Sequence, residues 1–142
     1  TNNDGIQLYG SGQIYTHVAG TGSTDSMRFY RNNAQVGFIQ TTGTATTYNS
    51  GSDARLKENI ADAEDASGLI DAIQVRSFDW KADGSHQRYG MVAQELLQVA
   101  PEAVSQGETE EDMMGVDYSK LVPMLVKEIQ SLRARVAQLE GA

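Results

Sequence analysis

The sequence has no cysteine, no long apolar run and no excess of basic residues, and each absence excludes a class of protein. Without cysteine, neither a disulfide framework nor a zinc site built on thiolates can form. No apolar stretch approaches the roughly 18 residues that a membrane-spanning helix needs. The formal net charge is -8, whereas a protein that binds phosphates of nucleic acid needs a basic surface. We therefore expect no nucleic-acid partner, no membrane partner, and no metal or other cofactor.

The chain changes in composition near residue 51. Residues 1–51 contain four charged side chains whose charges cancel: Asp4, Asp25, Arg28 and Arg31. Every other charged residue lies in 52–142, which has the mixed composition of a globular domain. We therefore predict two domains, 1–51 and 52–142. Because Thr1 is followed by neither the basic start nor the apolar run of a signal peptide, we expect the chain to begin inside a longer protein.

The first half has the pattern of short β-strands. It is rich in Thr, Gly, Asn, Ser and Gln, and its apolar residues come in short bursts such as 14–18 and 36–39. Several bursts alternate with a period of two, and Gly-rich or Asn-rich turns separate them. So few large apolar residues cannot fill a core alone. We predict a β-structured fibre stem built from several copies of the chain, with a flexible Thr/Gly linker as the alternative.

The second half predicts a small mixed domain, so that the fold class of the chain is α+β. A β-hairpin is expected over 75–92, with its turn at 82–85, and a short helix is expected over 93–99. The segment 107–112 is acidic and is predicted to be a solvated loop. Phe78 and Trp80 are predicted to lie in the core of this half. Met113 and Met114 are predicted to lie there too, with an exposed contact patch as the alternative for these two residues.

The last segment carries a heptad pattern. Its apolar residues are separated by alternating steps of four and three, at Tyr118, Val122, Leu125, Ile129, Leu132, Val136 and Leu139. This is the a/d seam of a coiled coil, and it predicts a long helix over 118–140. An amphipathic helix packed on its own domain is the alternative interpretation.

Two features of the helix favour different oligomers. Val or Ile at a with Leu at d favours a dimer. The segment 135–140, however, resembles the Arg-apolar-x-x-apolar-Glu pattern of parallel trimeric coiled coils, in which Arg135 at g can pair with Glu140 at e of a neighbouring chain. We interpret the chain as a homotrimer. The predicted trimerisation residues are Val122, Leu125, Ile129, Leu132, Arg135, Val136, Leu139 and Glu140.

The junction between the halves carries the most specific motif. Residues 52–58 read Ser-Asp-Ala-Arg-Leu-Lys-Glu, and this resembles the opening of the intramolecular chaperone domains of phage endosialidases, tailspikes and tail fibres, the peptidase S74 family. Three further pieces resemble the family in the same order: Phe-Asp-Trp-Lys at 78–81, Tyr-Gly-Met-Val-Ala-Gln-Glu-Leu at 89–96, and Val-Asp-Tyr-Ser-Lys-Leu-Val-Pro at 116–123. Together they extend the resemblance across the second half.

The resemblance implies a single-turnover serine peptidase that cuts its own chain between Gly51 and Ser52. Ser52 would be the nucleophile and Lys57 the general base, which requires a neutral amine. Five residues along a regular helix are turned about 140° apart, so Ser52 must lie in a turn or extended segment before any helix. Gly51 is expected to ease a sharp bend there. The residues interpreted as supporting are Asp53, Arg55, Gln94 and Glu95.

Residue chemistry alone leaves other interpretations open. Ser52 and Asp53 also form an ordinary helix start, and Lys57 with Glu58 is an ordinary solvated pair. If Ser52 does attack, the route can be an N-to-O acyl shift or direct attack assisted by Lys57.

The resemblance also implies a working cycle. The C-terminal domain trimerises, brings the stem strands into register and is released by the cut. The stem would belong to a virion tail fibre, and the chaperone would be released in the cytoplasm of the bacterial host. The expected partners are the chain's own copies, the upstream stem and, through the upstream fibre, a host surface glycan or receptor. The alternatives are a non-cleaving trimeric or receptor-binding fibre tip, and an adaptor that recruits a protein through the acidic loop.

Overall fold

The computed structural model describes residues 5–8, 14–17, 19 and 22–141. These residues form strands and helices, and the predicted α+β class is confirmed. Contacts divide the chain into two compact units, Thr1–Ile60 and Ala61–Ala142. No helix among the described residues is both long and apolar enough to cross a membrane.

The first unit contains antiparallel sheets of short strands. Strands β1 (Gly5–Leu8) and β2 (Ile14–His17) form one pair. Strands β3 (Thr24–Arg31), β4 (Ala34–Thr41) and β5 (Thr46–Ser50) form a three-stranded sheet in that order. The described part of 1–51 is therefore mainly strand, as its alternating pattern predicts, and not a linker.

Local geometry explains why these strands pair as they do. Asn32 and Asn33 connect β3 to β4 with φ angles of 49° and 62°. A two-residue turn with both φ angles positive matches the twist of a hairpin, and asparagine tolerates that conformation well. Gly37 allows β5 to approach β4, because a Cβ at this position would lie 2.8 Å from the backbone oxygen of Asn49.

The first unit has no core of its own among the residues that the structure describes. From 22 to 60, each residue is exposed or only partly buried. Large side chains such as Phe29 and Tyr48 remain on the surface, and Tyr48 is 80% exposed. A small sheet needs an apolar face packed against something to be stable.

The second unit begins with helix α1 (Ser67–Ala72) and a hairpin of β6 (Arg76–Asp79) and β7 (His86–Gly90). Gly84 has a φ of 71° in the connecting turn, which confirms the predicted hairpin and the position of its turn. Helix α2 (Ala93–Leu96) follows, shorter than predicted.

The chain then reaches its long helix. Strand β8 (Val104–Ser105) pairs with β9 (Gly115–Val116), and the acidic segment 107–112 between them is exposed, as predicted. A 3-10 turn at Tyr118–Leu121 leads directly into helix α3 (Val122–Glu140). The helical prediction for 118–140 is therefore confirmed.

The core of the second unit is small. Its buried residues Leu96, Ala100, Ala103 and Leu121 pack against half-buried residues that include Met124. Small side chains at two of the four positions, Ala100 and Ala103, let the 3-10 turn Pro101–Ala103 approach the turn before α3.

The prediction that Trp80 and Met113 belong to this core is wrong. Trp80 is 52% exposed and Met113 is 94% exposed. Trp80 stands at the hairpin turn, where its ring meets the half-buried Phe78 edge to face at 5.4 Å and its indole N–H donates to Gln87 Oε1. Met113 lies in the loop between β8 and β9.

Helix α3 contacts its own unit through a face other than the heptad seam. Met124 packs on the core, and Glu128 Oε2 accepts a hydrogen bond of 2.6 Å from Ser67 Oγ on α1. The seam residues stay substantially exposed: Val122, Leu125, Ile129, Leu132, Val136 and Leu139. In the single chain α3 therefore packs on its own domain, but its seam does not take part in that packing.

Candidate active site

The residue before the predicted cut is held by the three-stranded sheet of the first unit. Strand β5 ends at Ser50, and the backbone N–H of Gly51 continues the ladder by donating to the oxygen of Val36 at 3.1 Å. A Cβ at Gly51 would lie 3.6 Å from Leu56 Cδ1, an ordinary contact, and the φ of Gly51 is not positive. Neither a close contact nor a positive φ therefore requires glycine at position 51, and the expectation that Gly51 eases a sharp bend stays a prediction.

A short 3-10 turn follows the cut position and reverses the chain. Ala54–Leu56 form the turn, and Asp53 caps its start in an extended conformation, with Oδ1 accepting from the backbone N–H of Arg55 at 2.9 Å. Lys57 ends the turn, extended again with φ -128° and ψ 145°. Because the segment is extended, turned and extended again, positions 52 and 57 can face each other, which a continuous helix would prevent.

The side chains of Ser52 and Lys57 meet. The distance between Lys57 Nζ and Ser52 Oγ is 2.8 Å, a good hydrogen bond. Both residues are exposed in the single chain. A serine hydroxyl at this distance from an amine has the geometry of a nucleophile beside its base. This juxtaposition was predicted from the family resemblance, and the spacing alone would not have revealed it.

Asp53 and Arg55 fix the turn that brings the pair together. Arg55 Nε and Nη2 donate to the two carboxylate oxygens of Asp53 at 2.9 and 2.8 Å. The side-chain hydrogen bonds of Arg55, and then its backbone N–H, hold the pKa of Asp53 below its ordinary range. The pair is exposed, so it contributes little to global stability. Its contribution is local, since the same carboxylate caps the turn.

Gln94 and Glu95 belong to the other compact unit. Gln94 is exposed on α2. Glu95 accepts from Arg76 Nη2 and Nε at 2.8 and 2.9 Å, which ties α2 to β6 and lowers the pKa of Glu95 through those hydrogen bonds. Gly90 supports the same region, because a Cβ there would lie 2.7 Å from Phe78 Cε1. Glu95 thus serves as scaffold in this unit.

A second cluster of polar side chains, which was not predicted from the sequence, lies on the hairpin. Ser77 Oγ is 3.2 Å from His86 Nε2, and His86 Nδ1 is 2.6 Å from Asp79 Oδ1. Strand alternation puts positions 77 and 79 on one face, and this was the available sequence signal; the irregular register that completes the cluster could not be read from the sequence. Among the described residues, no group of three or more His, Asp or Glu side chains could hold a metal ion.

Comparison with known proteins supports the resemblance for one segment. Residues 52–105 match the family model described as chaperone of endosialidase, peptidase S74. The match begins at Ser52, contains Lys57, and extends over the hairpin, α2 and β8. It confirms the family resemblance for these residues, and α3 lies beyond them. No curated protein matches the chain.

Proposed function

We propose that this chain, whose residues 52–105 match the chaperone of endosialidase, assembles a fibre stem as a homotrimer and then cuts itself between Gly51 and Ser52. The family match supports the role of intramolecular chaperone. The observation that supports the cut is the 2.8 Å approach of Lys57 Nζ to Ser52 Oγ, at the first residue of the match.

The cut follows from ordinary acyl chemistry. Neutral Lys57 takes the hydroxyl proton of Ser52, and Oγ attacks the carbonyl carbon of Gly51. The peptide C–N bond breaks, and the nitrogen of Ser52 takes up the proton as a free amine. Water then hydrolyses the ester between Gly51 and Ser52 Oγ to give a new carboxylate. The same bonds change whether the step is described as an N-to-O acyl shift or as direct attack.

The exposure of Ser52 and Lys57 in the single chain suggests why the cut would follow assembly. In the single chain Lys57 Nζ donates to Ser52 Oγ, whereas general-base catalysis needs Oγ–H to donate to a neutral amine. Burial disfavours the charged form of a lysine. Leu56 and Ile60, in the same segment, are 69% and 73% exposed and offer an apolar surface that a neighbouring chain can cover. Assembly would therefore favour the reactive form.

Both units leave apolar side chains for partner chains to cover. The seam of α3 is exposed, with Ile129 at 55% and Val136 at 50%. Burying one such side chain typically contributes about 1.5–3 kcal/mol, so three copies of the seam supply a substantial driving force. Arg135 and Glu140 at the flanking positions favour three chains over two. A trimer of C-terminal units raises the effective concentration of the three stems, whose strands would otherwise find their register slowly.

The biological setting belongs to the same proposal. The stem would remain in a virion tail fibre, and the C-terminal unit would be released in the cytoplasm of the bacterial host. Once the helper has left, the stem cannot unfold by the route along which it folded, so it gains kinetic stability. A host surface glycan or receptor would be contacted by the fibre upstream of this chain.

Denaturing gel electrophoresis and mass spectrometry test the cut. The unmodified chain should yield the fragments 1–51 and 52–142. Ser52→Ala should stay intact, and Lys57→Met should lower the rate at least about 100-fold because the base is lost. Lys81→Met, in the exposed hairpin turn, is the matched control and should still cut. Intact chains from fully assembled unmodified trimers would instead support a non-cleaving fibre tip.

A further inference from the structure

The hairpin of the second unit holds a serine, a histidine and an aspartate that are connected by hydrogen bonds in that order. Ser77 Oγ lies 3.2 Å from His86 Nε2, and His86 Nδ1 lies 2.6 Å from Asp79 Oδ1. All three residues are exposed. Nucleophile, base and orienting acid are recognised by such geometry and roles, not by position in the chain.

The fold of the hairpin accounts for this placement. Asp79 pairs directly with His86, and the register is irregular between Arg76 and Phe78, where the single residue Ser77 lies opposite two residues of β7. Such bulges redirect a side chain and occur often beside active sites. The adjoining turn is closed by a hydrogen bond of 2.9 Å from the N–H of Trp80 to the oxygen of Ser85. The three side chains therefore stand at the closed end of the hairpin.

The hydrogen bonds fix which nitrogen of His86 carries a proton. An ionised carboxylate can only accept, so Nδ1–H donates to Asp79 Oδ1. In the neutral ring this leaves the lone pair of Nε2 facing the hydroxyl of Ser77, the arrangement in which an imidazole acts as base.

Two other serines provide a contrast within the same unit. Ser85 Oγ and Ser119 Oγ donate to the carboxylates of Asp83 and Asp117 at 2.7 and 2.6 Å, without an imidazole.

We propose that Ser77, His86 and Asp79 form a second nucleophilic centre, which accepts an acyl group from small carboxylic esters independently of Ser52 and Lys57. His86 Nε2 takes the hydroxyl proton as Oγ of Ser77 bonds to the acyl carbon. The ester C–O bond breaks, and His86 returns the proton to the leaving alcohol. Water then repeats the sequence and releases the carboxylic acid. Because the centre is open to solvent, it accepts small esters without selecting their shape.

A fluorophosphonate probe tests the centre on the full chain. The Ser52→Ala variant is used so that the other serine cannot react. Oγ of Ser77 bonds to phosphorus, the P–F bond breaks, fluoride leaves and His86 takes the proton. Peptide mapping should show label on Ser77 at a rate at least about 100-fold above that on Ser85 or Ser119. His86→Ala should remove this preference.

The labelling rates of the three serines can also contradict the proposal. Equal labelling of Ser77, Ser85 and Ser119 would overturn the proposal, and this comparison requires no change to the hairpin. Hydrolysis of p-nitrophenyl acetate that is unchanged by Ser77→Ala would overturn it as well. Ser77→Ala with Ser52 intact should still cut at Gly51–Ser52, so that failure of one centre is distinguished from failure of the other.

Discussion

The two units of the chain differ in where their apolar side chains lie. From 22 to 60 the described residues include no buried side chain, although strands with large apolar and aromatic residues are formed. From 61 to 141 a core around Leu96 and Leu121 forms within one chain, and the exposed apolar side chains include the seam of α3. This difference favours the proposed order of events, in which the second unit folds alone and then associates, and the strands of the first unit are stabilised only when partner chains cover them.

The largest expected effect comes from a charge placed in the seam. Ile129→Asp puts a carboxylate where three helices should meet, and an unpaired buried charge is strongly unfavourable. We expect trimers to be replaced by monomers at micromolar concentration, measured by analytical ultracentrifugation, with the cut lost as well. Gln130→Asp, on the exposed side of the same helix, is the control and should leave the trimer intact. Trimers that persist in Ile129→Asp would show that the seam of α3 does not hold the trimer together.

A smaller effect, confined to the first unit, is expected from Gly37→Val. A Cβ at Gly37 would lie 2.8 Å from Asn49 O, so β4 and β5 must separate, at a cost of about 1–3 kcal/mol. Hydrogen exchange should accelerate over 34–50 and stay unchanged over 93–140.

Gly22→Ala is the matched control for that variant, since nothing lies within 4 Å of a Cβ at Gly22. Equal acceleration in both units would contradict this prediction, because it would mean that the second unit depends on the first for its fold.

The smallest effect concerns pH and the second unit. Hydrogen bonds from Arg76 lower the pKa of Glu95 below its ordinary value of 4.5. A carboxyl group with a lowered pKa in the folded state adds stability above that ordinary value, and this stability is lost as the pH falls through the lowered pKa. Arg76→Met should therefore flatten the acid limb of a thermal unfolding profile measured below pH 4.5.

The profile of Arg88→Met provides the control for this prediction. Arg88 stacks on the ring of Tyr89 at 5.0 Å, so its removal should leave the acid limb unchanged. An identical profile for Arg76→Met and the unmodified chain would show that the ion pair of Arg76 and Glu95, which joins β6 to α2, contributes nothing measurable to stability.

Sequence periodicity predicted the strands, the hairpin with Gly84 and the helix of 118–140, because each depends on local alternation or turn chemistry. The approach of Lys57 to Ser52 was predicted only through a family motif, since spacing does not determine the path of a 3-10 turn. Trp80 was misplaced because apolar character does not reveal which side of a small unit is covered. The cluster of Ser77, Asp79 and His86 was missed because the irregular register beside Ser77 cannot be predicted from the sequence.

The order of assembly and cutting is the central claim, and one experiment addresses it directly. Freshly refolded chain at a series of concentrations is sampled over time, with native mass spectrometry for trimers and a denaturing gel for the fragments 1–51 and 52–142. We expect trimers to appear first and the cut to slow steeply on dilution. Monomers of unmodified chain that cut between Gly51 and Ser52 as fast as trimers do would contradict it.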